Sequence, residues 1–233
     1  LPIYLSDVRL VNGTAVDTTA FTPPTAPLTA ITNTSLLCNM TNGAIYDSSM
    51  MNDLETVGNA QISTSVKKYG TGSMYFDGTG DYLVCPTFSS TNSPSSLYSP
   101  NGAFTVECWI NTIDNSSRNI VGYGTGSTIW VLQFDGSNHV QFKWVNNTPT
   151  VYTAVSTSTI STGTWTHIAA TYDGTNINLY LNGSRVLQSA TTNPDNGGNL
   201  FIGADTNGTS AYFYGYMSNI RILKGTALYS GTT

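Results

Sequence analysis

The sequence predicts an all-β protein, an antiparallel sandwich of two sheets. Apolar and polar residues alternate at period two, and turn signals recur about every eight to twelve residues. No stretch of a dozen residues repeats its apolar positions at the three-and-four spacing of an amphipathic helix.

In chain order, SDVRLV opens with the β-branched character of a paired strand, and TTAFTPPTAPLTAIT follows it. Pro23, Pro24 and Pro27 favour an extended polyproline II path and withhold backbone donors, so this segment predicts a semi-rigid connector. Strands are expected at SLLCN, NAQIS, SMYF and DYLVC. PTFSSTNSPSSLYSPNG, residues 86–102, is too rich in Pro and Ser for a strand and predicts a long surface loop. FTVECWI resumes the alternation, and WVLQF, DGSN, HVQFKW reads as a hairpin turning at Asp135 and Gly136. After TVYTAV come TWTHIAATY, INLYL and RVLQSA, joined by DGTN and by Asn182-Gly183, a pair suited to a turn that needs two positive φ angles. NLFIG and YFYGYMSNIRIL complete the set.

Charged residues make up only 9% of the 233, against roughly 25% in an average soluble domain, so the surface must be neutral and rich in hydroxyls. Net charge is -5, and no basic cluster exceeds Lys67-Lys68, which argues against nucleic acid as a partner because phosphate binding needs several cations on one face. No apolar run approaches the ~20 residues of a membrane span, and no signal-peptide pattern opens the chain. A first residue of Leu rather than Met reads as a fragment or a processed product. Of Cys38, Cys85 and Cys108, the last shares a face of FTVECWI with Phe104, Val106 and Ile110, where a small buried thiol belongs. The three cysteines allow one disulfide at most and leave one thiol over; read as three reduced core thiols, they predict synthesis in a reducing cytoplasm, compatible with later release to an extracellular place. Seven Asn-x-Ser/Thr sequons are no more than this content of Asn, Ser and Thr yields by chance, so they carry no evidence for glycosylation.

SDVRLVNGTAV, starting at Ser6, is repeated near the other end as SNIRILKGTAL, starting at Ser218. Arg9 meets Arg221, Gly13 meets Gly225, Thr14 meets Thr226 and Ala15 meets Ala227, while apolar residues exchange conservatively. The expected organisation is a terminal strand at 1–17 resembling the end of a preceding repeat, a connector at 18–32, a main domain at 33–228, and at 229–233 the start of a connector to a following repeat. The repeat would be about 212 residues long.

KYGTGSMYFDGTGDYLVCP, followed by FTVECWI, WTHIAATYDGTNINLYLNG and GYMSNIRIL, resembles the concanavalin A-like, laminin-G-like jelly-roll family. The resemblance covers roughly residues 33 to 228 and implies a jelly-roll sandwich of two curved sheets. With SNIRILKGTALY and FTPP, it is similar to tandem repeats of bacteriophage virion surface and tail proteins. It therefore implies a structural and adhesive module on a virion surface or in an extracellular place. Its partners would be neighbouring repeats or copies of itself, other virion proteins and cell-surface glycans. The alternative is a glycan-binding lectin or glycan-degrading enzyme domain of a secreted bacterial surface protein.

Catalysis is not expected. Family members that cleave laminarin carry two glutamates on one strand, whereas Glu55 and Glu107 are the only glutamates here and lie far apart in sequence. His139 and His167 lack the neighbours of a nucleophile elbow or a zinc motif and are expected to be structural. No cofactor is required, and Ca²⁺ is the one the resemblance allows. Its candidate ligands are Asp77 and Asp81 in FDGTGDYL, which could instead cap the turn, and Asp47 in an Asp-Ser-Ser loop. In the family's second calcium position Ser218 and Asn219 stand where an acidic residue belongs. Sugar contacts are expected from Asp135, Asn138 and Trp144, or from Tyr212 and Tyr214, through ring stacking and polar contacts at the rim of the sandwich.

Overall fold

Alternation decides which side of each strand is dry, and here it builds two seven-stranded antiparallel sheets that face each other across one apolar core. The computed structural model describes residues 8–13, 15, 31–38, 45, 54–85, 103–125, 128–145, 150–190 and 198–231. Residues 1–44 and 45–233 form two compact units.

In the first unit, strands β1 (Val8–Val11) and β2 (Thr34–Cys38) pair antiparallel, with Val8 opposite Cys38 and Leu10 opposite Leu36. The Asn12 amide donates to the Asn33 carbonyl (3.0 Å), extending the ladder past the strand end. SLLC, which the sequence reading assigns to the main domain, thus lies beside the opening strand. Residues 18–30 of the expected connector, the expected loop at 86–102 and Asp47 lie outside the described residues.

In the second unit the following strands are β3 (Glu55–Val57), β4 (Gln61–Ser63), β5 (Ser73–Asp77), β6 (Tyr82–Cys85), β7 (Phe104–Thr112), β8 (Asn119–Thr125), β9 (Thr128–Phe134) and β10 (His139–Val145). After them come β11 (Val151–Thr159), β12 (Thr166–Tyr172), β13 (Asn176–Leu181), β14 (Ser184–Ala190), β15 (Asn199–Ile202) and β16 (Tyr214–Lys224). One sheet runs β11-β10-β9-β8-β15-β6-β3, and the other runs β14-β13-β12-β7-β16-β5-β4. No helix occurs among the described residues.

Phe76, Val106, Cys108, Ile110, Leu132, Phe142, Ile168 and Phe213 meet in the core, each removing about 1.5–3 kcal/mol worth of apolar surface from water when the side chain is large. Cys85 and Cys108 are buried there, as the alternation of FTVECWI predicts for Cys108. Burial pushes the Cys108 thiol far above its ordinary pKa, so it stays a neutral, unreactive hydrophobe. The Asn182-Gly183 turn takes positive φ at both residues (49° and 86°), as its composition predicts.

Candidate functional site

Tyrosines on two neighbouring strands form an aromatic row in the second unit. On β5, Phe76 points into the core, so Tyr75 and Asp77 face outward. On β16, Tyr214 stands opposite Asp77 and Tyr216 opposite Tyr75. The Tyr75 and Tyr216 rings lie 5.0 Å apart at 36°, and the row continues through Gln61 of β4 on one side and Asn111 of β7 on the other. All three tyrosines are half-buried. Burial, then the neighbouring Tyr214, Tyr216, Asp77 and Asp81, raise the Tyr75 pKa, so its hydroxyl stays protonated and able to donate.

Gly215 makes this alignment feasible. Its φ is +144°, and a Cβ there would stand 2.4 Å from the Asn111 carbonyl oxygen and 2.8 Å from the Thr112 Cα. Only glycine lets β16 approach β7 this closely while carrying a ring on each side of the contact.

Arg118 clamps both flanks of Tyr214. Its Nη1 donates to the Tyr212 carbonyl (2.8 Å) and the Gly78 carbonyl (3.3 Å), and its Nη2 pairs with Asp114 Oδ2 (2.7 Å). Hydrogen bonds from the Ser116 amide and then from Arg118 hold the Asp114 carboxyl at a pKa of about 2. A depressed carboxyl pKa stabilises the fold above its unfolded value of about 4, and that contribution is lost as pH falls through the folded value. Because the Asp114 side chain is 36% exposed, solvent screening limits the effect. Asp114→Asn should cost about 0.5–1 kcal/mol at neutral pH. Urea titrations of both proteins should converge as pH falls through about 2, and a pH-independent gap would contradict a charge-based clamp.

The residues expected from sequence are distributed differently. Tyr214 is in the patch. Tyr212 flanks it, with its hydroxyl donating to the Gly208 carbonyl (3.1 Å). Asp135 caps its own hairpin, accepting from the Ser137 and His139 amides, and its Oδ2 lies 3.1 Å from His139 Nδ1. Asn138 is exposed at positive φ (69°), and its carbonyl accepts from the Ile160 amide. Trp144 corrects the expectation of a surface ring: it is 1% exposed, packed between Phe142 and Tyr152 in phase with Val140 and Phe142. The alternation of HVQFKW already carried that signal.

Asp77 and Asp81 divide into two roles. Asp81 is fully buried, with Oδ1 accepting from the Asn59 amide (2.8 Å) and Oδ2 from the Asp77 amide (3.0 Å), so both its oxygens anchor the turn. Asp77 Oδ1 accepts from the Thr79 amide (2.8 Å), and its Oδ2 meets no donor among the described residues. Among the described residues no three His, Cys, Asp or Glu converge.

A second cluster on the same outer face escaped the sequence reading. Glu107, 4% exposed on β7, is gripped by Arg221 of β16 through Oε1. Its Oε2 accepts from the Tyr229 hydroxyl (2.7 Å) and lies 3.1 Å from His167 Nε2. Residues 226–231 cross this face as a strap. Thr105 Oγ1 donates to the Thr226 carbonyl and accepts from the Leu228 amide, Thr171 Oγ1 donates to the Tyr229 carbonyl, and the Tyr180 hydroxyl donates to the Gly231 carbonyl. Beside the strap, Trp109 packs against His167, with Lys68 Nζ 3.9 Å from the centre of its ring and Tyr69 edge-on to it.

Residues 77–228 match the model of the concanavalin A-like lectin/glucanases superfamily. None of the curated proteins searched matches the sequence. Among solved structures, domain 4 of AbnA, a GH43 extracellular arabinanase from Geobacillus stearothermophilus, in complex with arabinotriose, is similar at 20% identity and a TM-score of 0.61. That alignment covers 77% of this chain and 86% of the other. The receptor binding domain of botulinum neurotoxin D is similar at 16% identity and a TM-score of 0.58, covering 77% of this chain and 46% of the other. The binding domain of Paraclostridial Mosquitocidal Protein 1 gives 14% and 0.53, covering 75% and 43%. The chain thus spans less than half the length of the two toxin domains. At these identities the likeness is one of fold.

Proposed function

Because the chain belongs to the concanavalin A-like lectin/glucanases superfamily, we propose that it is a non-catalytic adhesive module that holds neutral glycans on its outer tyrosine face. The observation that carries this reading is the row of Tyr75, Tyr216 and Tyr214, half-buried on adjacent strands beside the Asp77 carboxylate. Sugars offer apolar ring faces that stack on aromatic side chains, and equatorial hydroxyls that donate to a carboxylate. Asp77 and the net charge of -5 disfavour anionic sugars. The arabinotriose complex of a similarly folded domain supports a sugar as the ligand class. The repeated closing segment supports a setting as one repeat of a phage surface, fibre or tail protein.

The placement of the two glutamates supports a non-catalytic role. Glu55 lies on β3 at the edge of one sheet, and Glu107 lies in the interior of the other, bound by Arg221, Tyr229 and His167. A retaining glycosidase needs its two carboxyls ~5 Å apart.

An array of neutral and acidic glycans, probed with and without Ca²⁺, tests the proposal. Neutral glycans should be retained, and Tyr216→Ala should weaken retention about fivefold to tenfold without lowering thermal stability appreciably. Release of reducing sugar, or retention indifferent to Tyr216, would overturn it.

A further inference from the structure

We infer that the opening segment built around β1 (Val8–Val11) can act as a spare closing strand, its sequence matched to the second sheet of another copy of this sandwich. Independent of the glycan reading, this inference rests on how the sandwich recognises β16. That strand sits inside the sheet, bonded to β7 on one side and β5 on the other. That strand and the residues after it are held at four points: the Arg221 side chain by Glu107, and three backbone groups, the Gly225 amide by the Ala103 carbonyl (2.6 Å), the Thr226 carbonyl by Thr105 Oγ1 (2.9 Å) and the Leu228 amide by the same hydroxyl (2.9 Å).

At the same spacing the opening segment carries Arg9, Gly13, Thr14 and Val16. Backbone conformation agrees as well as side-chain identity: φ is 73° at Gly13 and 79° at Gly225, so both segments bend in the left-handed region at the same point. Upstream, Tyr4 matches Tyr216 and Leu5 matches the buried Met217. The correspondence stops at Ile3, which stands in the place of Gly215, where no Cβ fits.

In its own chain β1 is in the first compact unit, and its strand partner among the described residues is β2. An extended segment adds to a sheet through its backbone groups, and the match of Arg9 to Arg221 and of Gly13 to Gly225 sets which sandwich this one suits and in what register. The partner is therefore a second copy of this chain, or a neighbouring repeat like it, with its closing strand displaced or absent. Tethered β16 has a large advantage in effective concentration over a free copy. Asp17, standing where Tyr229 donates to Glu107, adds like-charge repulsion, so the spare strand binds more weakly than the resident one.

Refolding the full chain with a fluorescent peptide of residues 4–16 tests this, using co-elution on a sizing column as the readout. The wild-type chain should capture little peptide, and an Arg221→Ala chain, with its own strand weakened and Glu107 exposed to a new arginine, several-fold more. An Arg9→Ala peptide should be captured roughly tenfold less by the Arg221→Ala chain. A Tyr229→Phe chain, which loses one hydroxyl, provides the same comparison in a background certain to be milder. Equal capture of the two peptides, or capture of neither by both variant chains, would overturn the inference.

Discussion

Replacing Gly215 with alanine is expected to destabilise the sandwich by about 3–5 kcal/mol, a large share of the roughly 5–15 kcal/mol that holds an ordinary domain folded. Two costs add. The φ of +144° is one that L residues rarely adopt, and the new methyl would sit 2.4 Å from the Asn111 carbonyl and 2.8 Å from the Thr112 Cα, both backbone atoms of β7. Neither can retreat without opening the β7–β16 ladder between core residues Ile110 and Met217. Urea denaturation measures the loss. A change under about 1 kcal/mol would mean that the two strands separate more readily than this packing allows. The neighbouring tyrosines should lose their alignment together, so any sugar retention should vanish in the same variant even where it folds.

Glu107→Ala should cost about 2–3 kcal/mol, again by urea denaturation. It removes an acceptor that is itself almost fully buried and serves Arg221, Tyr229 and His167 at once. Breaking a buried pair ordinarily costs about 3–5 kcal/mol. The lower figure applies because the Arg221 side chain is half exposed and can be rehydrated. Glu107→Gln keeps an acceptor for the Tyr229 hydroxyl and should cost about half as much. In the alanine variant the strap loses its tyrosine anchor, and trypsin should cut after Lys224 faster than in the wild type. Unchanged cleavage would place the strap's hold in its Thr105, Thr171 and Tyr180 bonds alone.

The sandwich was readable in the sequence because turns and alternation are local. DGSN and Asn182-Gly183 fall at real hairpins, and FTVECWI places Cys108 on its inner face. Strand β8 was not readable, since Gly122 and Gly124 interrupt its alternation, and Gly122 leaves room for Val131 and Thr206 instead of packing a side chain. The crowding of Tyr212, Tyr214 and Tyr216 is legible in the sequence, but Tyr75, which meets the Tyr216 ring, comes from a distant strand, and only the β5–β16 register brings them together. The Glu107 cluster was hidden for a similar reason. Alternation sets Thr105, Glu107 and Trp109 opposite the core, where solvent would be expected, and nothing local announces that residues 226–231 fold back to cover them.

That strap also governs how the module would respond to tension. A pull on Gly231 reaches the Tyr180 and Arg185 bonds first, then Thr171 and Tyr229, and Thr105 last, because these side chains lie on successive strands beneath it. Loaded one after another, bonds each worth about 0.5–1.5 kcal/mol peel at low force instead of sharing it. The several residues of strap set free lengthen the chain before any load reaches β16, which is clamped along both edges between β7 and β5. The sandwich would thus carry a short extensible leash in series with a stiff body, absorbing a tug while the tyrosine face keeps its shape.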